Sequence, residues 1–361
     1  MKKRIVTTII GLAMTAAALM SSSAFAKDAE FTVPEDVQKG DYVIAFSNSY
    51  NGSSFRQLQE KYYQDLGDKL KEEGIIKDYV MACANSDNAT QVSQIENFIM
   101  MGVDAIVVDP NSSTALNGAF EEAYQAGIPV IVIDCGPVTS PYPYQMNANL
   151  LTNYGNLAEY LCEKLDYKGN VLVIRGIAGV EFDAQAYQGM MDVLNKYEDI
   201  NVVGEVYGEW TNTITQSEVS SILPSLPEVD GVIGQGGDGY GAIQAFLAAG
   251  KDVPVVIGGN RGDFVNWWIN EYKENGYETM SAVCTPWFSA VGMYLAVDIL
   301  NGVDVPQYTF YPPEVITVDN LMDYEGLDDT GIASTAYNWD WVREVIESQN
   351  SDDAKPEMVE D

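Results

Sequence analysis

The chain has 361 residues, with 19 Lys and Arg against 53 Asp and Glu, no histidine, and a formal net charge of −34 at pH 7. Without an imidazole there is no Ser-His-Asp or Cys-His catalysis and no His-ligated metal site, and the acidic excess opposes nucleic acid or an anionic membrane surface as partner. A hydrophobic content of 47% is that of a folded chain, long enough for two domains that each bury a core.

Residues 1–26 read as a secretory signal. Lys2, Lys3 and Arg4 precede an uncharged apolar run over 5–20, and Ala24-Phe25-Ala26 ends in an Ala-x-Ala cleavage pattern. The run is shorter than the roughly 20 residues of a membrane span. An exported protein is expected, in a periplasm or at the cell exterior, soluble and monomeric. Residues 27–40 read as a linker.

Beyond it, strand and helix alternate. Short Val- and Ile-rich runs recur at 42–47, 79–83, 104–108, 129–134, 170–174, 201–206, 230–234, 254–258 and 280–284. Helical periodicity fills 55–73, 91–101, 114–126, 153–165, 184–197, 215–223, 241–249, 264–274 and 290–300. Runs such as Ala105-Ile106-Val107-Val108 and Val130-Ile131-Val132-Ile133 are apolar on both faces, as a parallel sheet covered by helices requires. The class is α/β with right-handed crossovers. One closed barrel and two open doubly wound sheets compete. The strand count and chain length fit two lobes better. So does an echo between halves: Val43-Ile44-Ala45-Phe46-Ser47 leads through Gly52 into a helix, and Val171-Leu172-Val173-Ile174 leads through Gly176 and Gly179 into another. In either architecture the side chains just past strand C-termini are the ligand candidates.

Gly234-Gln235-Gly236-Gly237-Asp238-Gly239 matches G-x-G-x-x-G, but it follows the seventh of nine strands. The next strand ends in Gly258-Gly259-Asn260, with no acid to hold a ribose hydroxyl. A glycine-rich ligand loop fits better than a dinucleotide site. Asp109, Asp134, Asp183 and Asp238 all fall at or just beyond strand ends. A glycosidase would use two of them as acid and nucleophile; a binding site would use them to accept hydrogen bonds from hydroxyls. No spacing fixes a catalytic pair. Tyr50, Phe55, Trp210, Trp267, Trp268 and Trp287 crowd the same loops, where flat rings stack on the C–H faces of sugars. At least one ring of Trp267-Trp268 belongs to the core, whereas Trp210, in a polar stretch, suits a pocket. Cys83, Cys135, Cys162 and Cys284 lack CxxC spacing and read as small core residues.

This set of loops resembles the type I periplasmic binding proteins of sugar ABC transporters, the ribose-binding-protein-like group, from about residue 41 to about 318. It is carried by Phe46-Ser47-Asn48-Ser49-Tyr50-Asn51-Gly52-Ser53-Ser54-Phe55-Arg56, by Gly102-Val103-Asp104-Ala105-Ile106-Val107-Val108-Asp109-Pro110, by Ala126-Gly127-Ile128-Pro129-Val130-Ile131-Val132-Ile133-Asp134 and by Gly176-Ile177-Ala178-Gly179. The resemblance implies two doubly wound parallel-sheet lobes joined by a three-segment hinge, with crossings near 146–149, 285–286 and 311–313. The first lobe would comprise 41–147 plus 286–311, the second 148–285 plus 312–346, and 347–361 would be a disordered acidic tail. It implies capture of a monosaccharide or polyol in the cleft and delivery to an ABC permease, with no chemistry, cofactor or metal. By position, Asn51, Phe55 and Arg56 belong to the first ligand loop. Asp109 and Asp134 follow the third and fourth strands, and Asn149 lies in the first crossing. Asp183, Trp210, Gln235, Asp238 and Asn260 belong to the second lobe, and Thr285 to the second crossing. Two departures stand out: Ala186 and Cys135 occupy positions where many members carry Arg, which leaves Arg56 and Arg261 as cationic donors and suits a more acidic pocket. The rivals are a sensory protein that hands a furanose-like signal to a membrane receptor, and a glycoside hydrolase. A short helix over 337–346 packs on a lobe beyond the resemblance.

Overall fold

The computed structural model describes residues 31–349 apart from 135 and 136. The signal segment, the acidic end beyond 349 and Cys135 lie outside the described residues.

Two parallel sheets form the two lobes. In the first lobe, β1 (Val43–Asn48), β2 (Asp78–Cys83), β3 (Ala105–Val108), β4 (Val130–Ile133), β5 (Tyr144–Ala148) and β11 (Tyr308–Tyr311) pair in the order β11-β5-β4-β3-β1-β2. In the second, β6 (Gly169–Arg175), β7 (Ile200–Tyr207), β8 (Gly231–Ile233) and β9 (Val255–Ile257) pair as β7-β6-β8-β9. Each sheet sets its first strand between its second and third, so the echo read between the two halves is a repeated topology. A small antiparallel pair, β10 (Ser281–Val283) with β12 (Glu314–Ile316), completes the strands among the described residues.

The helices are α1 (Ser54–Glu72), α2 (Asn88–Met101), α3 (Asn117–Gln125), α4 (Leu150–Lys164), α5 (Glu181–Leu194), α6 (Asn212–Ile222), α7 (Gly239–Ala248), α8 (Gly262–Asn275), α9 (Phe288–Leu300) and α10 (Trp339–Glu347). Their starts follow local chemistry. Ser53 accepts from Arg56 N at 3.3 Å to cap α1, and Asp87 accepts from Thr90 N at 2.7 Å to cap α2. Helix α9 is apolar nearly all round because it is buried nearly all round, packing on α1, β3 and β4. Val107 and Ile131 beneath it, and Ile44 and Phe46 against Tyr63 of α1, are fully buried. Each such side chain contributes about 1.5–3 kcal/mol.

The chain passes between the sheets after Ala148, between Val283 and Phe288, and between Tyr311 and Glu314. Helix α10 differs from expectation in placement. The sequence reading allots 312–346 to the second lobe, yet α10 docks on α9. Asp298, fully buried on α9, accepts from Trp339 Nε1 at 3.0 Å and pairs with Arg343 Nη2 at 2.6 Å. Tyr294 and Tyr311 of the first lobe pack against the rings of Trp339 and Trp341. The charged knot and the two tryptophans hold the tail there.

Candidate functional site

Strand C-termini of both sheets face one cleft. A cavity of about 160 Å³ lies in it, roughly ten times the least volume that holds a water. Its wall takes Ser53, Ser54, Phe55 and Arg56 from the start of α1, and Asp134 just after β4. From the second lobe come Tyr154 on α4, Val180 and Phe182 at the start of α5, Trp210, the loop Gln235–Gly237, and Asn260 with Arg261 before α8. Val283, Cys284 and Ile332 close the hinge side.

In the first lobe the centre is Arg56. Its guanidinium lies against the fully buried Asp109 carboxylate and 2.9 Å from Asp134 Oδ2, and it donates to Gln59 Oε1 at 2.9 Å. Gln59 Nε2 donates to the same Asp134 oxygen at 3.0 Å. Asp134 has a left-handed backbone, φ 66°, which turns its side chain back from the end of β4. One cation is thus shared by two buried acids, and the three groups hold one another in place. Burial and the Asp134 charge push the neighbouring Cys284 thiol well above its ordinary pKa, so it stays neutral.

In the second lobe, Asp183 is buried and organises what surrounds it. Arg175 Nη2 lies at 2.6 Å, Gly176 N at 2.9 Å and Gln235 Nε2 at 2.8 Å from its carboxylate. The Gln235 carbonyl accepts from Tyr154 OH at 2.6 Å. Trp210 stands edge-on to Phe182, with centroids 5.7 Å apart. It is reached through two successive left-handed residues, Glu209 (φ 51°) and Trp210 (φ 52°), a backbone cost accepted where a ring must be aimed. Gly176 makes room for it, since a Cβ there would sit 2.2 Å from Trp210 Cζ2. The indole Nε1 is buried without a hydrogen-bond partner among the described residues. Such a donor at a cavity wall is open to an acceptor from water or a ligand.

Of the twelve expected ligand residues, Phe55, Arg56, Asp134, Trp210, Gln235 and Asn260 line the cavity. The others stand outside that lining. Asp109 backs Arg56 and Asp183 backs Gln235. Asn51 lends its carbonyl to Gln57 Nε2 at 3.2 Å. Asn149 caps α4, accepting from Thr152 N at 3.1 Å. Thr285 Oγ1 accepts from Trp287 N at 3.2 Å. Asp238 is fully buried beside Thr215 Oγ1, at 3.4 Å. A hydrolase would need two acids facing the cavity; among the described residues only Asp134 reaches its wall. Sequence reading missed Tyr154, Phe182 and Ile332. Tyr154 sits inside a helical run and Ile332 beyond the resemblance; Phe182, four residues before the departing position Ala186, was the one open to detection. Asn149→Ala is expected to cost about 1 kcal/mol of stability, as loss of a cap does, and to leave ligand affinity unchanged. Chemical denaturation and titration of the same variant check both halves.

A Periplasmic binding protein domain model matches residues 44–304. The chain is 29% identical over 250 residues to a xylitol-binding protein of Mycolicibacterium smegmatis, covering 66% of this chain and 68% of that one. It is 29% identical over 334 residues to a putative rhizopine-binding protein of Rhizobium meliloti, covering 88% and 98%. Among solved structures, an ABC transporter solute-binding protein from Thermobispora bispora superposes with a TM-score of 0.78 at 28% identity, over 85% of this chain and 95% of that one. With its two parallel-sheet lobes and a cleft lined from both, the chain belongs to the periplasmic binding proteins, with the type I fold, and is a binding protein and not an enzyme.

Proposed function

We propose that the chain is an exported solute-binding protein that closes its lobes on a monosaccharide or polyol and presents it to an ABC importer permease. The observation that carries this reading is the make-up of the cavity wall. Three rings, Phe55, Phe182 and Trp210, supply flat apolar surface; Arg56, Asp134, Gln235 and Arg261 supply donors and acceptors between them. A ring of alternating C–H faces and hydroxyl edges fits that mixture. Because Arg56 and Trp210 belong to different lobes, a ligand touching both favours the closed arrangement, and this differential contact drives closure. The relative named for xylitol supports a polyhydroxylated ligand. The two acids on Arg56 more than offset its charge, which disfavours an anionic ligand.

The test is a thermal-shift screen of the chain from Lys27 against monosaccharides, polyols, amino sugars, amino acids and nicotinamide dinucleotide. A ligand at a hundred times its dissociation constant adds about 2.7 kcal/mol to stability. A shift with one sugar or polyol class is expected; shifts confined to amino acids or the dinucleotide would overturn the reading. Trp210→Ala is expected to weaken that ligand by roughly tenfold to a hundredfold, since it removes a stacking face and a buried donor together. Calorimetric titration of the variant reads this directly.

A further inference from the structure

After β12 the chain enters the second lobe, where Leu321, Tyr324 and Ala333 join its core. It then runs along the start of α8. Gly262 N bonds to Gly331 O at 2.8 Å, Asp263 N to Asp329 O at 3.0 Å, and Arg261 pairs with Ile332 in an isolated bridge. Asn260 is held from both sides: its Nδ2 donates to Ala333 O at 2.7 Å and its carbonyl accepts from Ala333 N at 2.8 Å. A few residues later the same strand of chain is bound to the first lobe and the second crossing. Tyr62 OH and Ser334 Oγ are 3.4 Å apart, and Trp287 Nε1 donates to Tyr337 O at 2.8 Å. Between these anchors Glu314, buried in the third crossing, accepts from Thr335 N at 3.0 Å, Thr335 Oγ1 at 2.8 Å and Tyr337 OH at 3.4 Å. Beyond them α10 is locked to α9 through Asp298. This whole stretch lies outside residues 44–304, which carry the family match.

We propose that residues 331–337 form a fourth interlobe segment, which ties the lobes in a part-closed arrangement before ligand arrives and supplies, through Ile332, one apolar wall of the cavity. The other crossings are hinges, joined end to end with strands and helices. This segment instead grips both lobes by side chains and backbone on either side of the cleft, so opening must break or stretch those bonds. A chain biased towards closure spends less binding free energy on closing, and its apparent affinity rises with the competent fraction. The wall has a consequence for specificity, which rests on the sugar or polyol reading. Ile332 beside Val283 and Cys284 offers no partner to a hydroxyl, so a ligand must turn C–H surface to that side and its hydroxyls towards Arg56, Asp134 and Gln235.

The test uses the chain from Lys27, small-angle scattering without ligand, and titration with xylitol, myo-inositol and D-ribose. One variant carries Ile332→Gly, Ala333→Gly, Thr335→Gly and Ala336→Gly; a milder one carries Tyr62→Phe, Trp287→Phe, Trp339→Phe and Arg343→Gln, which removes the side-chain bonds to the first lobe on the segment and on α10 and decides the matter should the glycine variant fail to fold. A larger ligand-free radius of gyration is expected in both. The apparent dissociation constant of whichever probe the unaltered chain binds is expected to rise by roughly fivefold or more. A radius and an affinity equal to those of the unaltered chain in the milder variant would overturn the tether. Binding of none of the three probes by the unaltered chain would count against the sugar or polyol reading, while the ligand-free radius would still judge the tether.

Discussion

Arg56→Ala is expected to abolish tight ligand binding and to destabilise the chain by about 3–5 kcal/mol, the usual consequence of removing one partner from a buried ion pair. Asp109 is fully buried and Asp134 nearly so, and both rest on this guanidinium. Without it two carboxylates would share a low-dielectric site, and one or both would have to take up a proton. Combining Arg56→Ala with Asp109→Asn is expected to recover much of the stability, because the uncompensated charge is gone. Binding should not return with it, since the donor at the cavity wall is still missing. Arg56→Lys is expected to keep more stability than binding, because an ammonium cannot span Asp109, Asp134 and Gln59 as a planar fork does. Denaturant unfolding and calorimetry on the three variants separate these effects. Equal stability of Arg56→Ala and the unaltered chain would refute the shared-cation account.

Asp238→Asn is expected to stabilise the protein at pH 8 and to leave it nearly unchanged at pH 4. Burial pushes the Asp238 carboxyl up from 3.8 to about 7, with Thr215 Oγ1 too weak a donor to offset it. One carboxylate oxygen, Oδ1, has no partner among the described residues. The sign follows from proton counting. Between about pH 4 and 7 the folded chain keeps this proton while the unfolded chain has lost it, so the stability contributed by Asp238 falls as pH rises through that window and is absent above it. At 1.36 kcal/mol per unit the span corresponds to a few kcal/mol. The difference in unfolding free energy between Asp238→Asn and the unaltered chain, measured at half-unit intervals from pH 4 to 8, isolates this group from the many other acids. A flat difference would show that Asp238 stays ionised. Because the chain has no histidine, Asp238 is a rare group in it that titrates near neutrality.

The parallel strands were legible because burial on both faces demands continuous apolar residues, and β4 is all Val and Ile while β3 adds only Ala105 to them. Strand β5 was not. Its Gln145 and Asn147 are polar yet buried, so the apolar run that marks its neighbours is broken. Gln145 earns its place by bonding Val138 N at 3.0 Å and Val138 O at 3.1 Å. Strands β11 and β12 are short, and β11 lies at a sheet edge, where one neighbour suffices. Position past a strand end pointed to Asp134 and Trp210, and the family resemblance to Arg56, Gln235 and Asn260, all of which line the cavity. The same rule could not tell a side chain facing the cavity from one standing behind it. Asp109 and Asp183 obey the rule, yet each is turned inward onto a guanidinium. Nor could spacing show that Asn149 is occupied as a helix cap. Ile332 was out of reach because its place depends on a chain segment that returns across the cleft after its own lobe is complete.

The most direct test of the central claim is isothermal titration of the chain from Lys27 with the sugar or polyol selected by the thermal screen, at several temperatures. One ligand per chain is expected, with a negative heat-capacity change from burial of ring surface against Phe55, Phe182 and Trp210, and with affinity lost in Arg56→Ala and weakened in Trp210→Ala. Saturable one-to-one binding that survives both substitutions unchanged would place the ligand elsewhere and contradict the account.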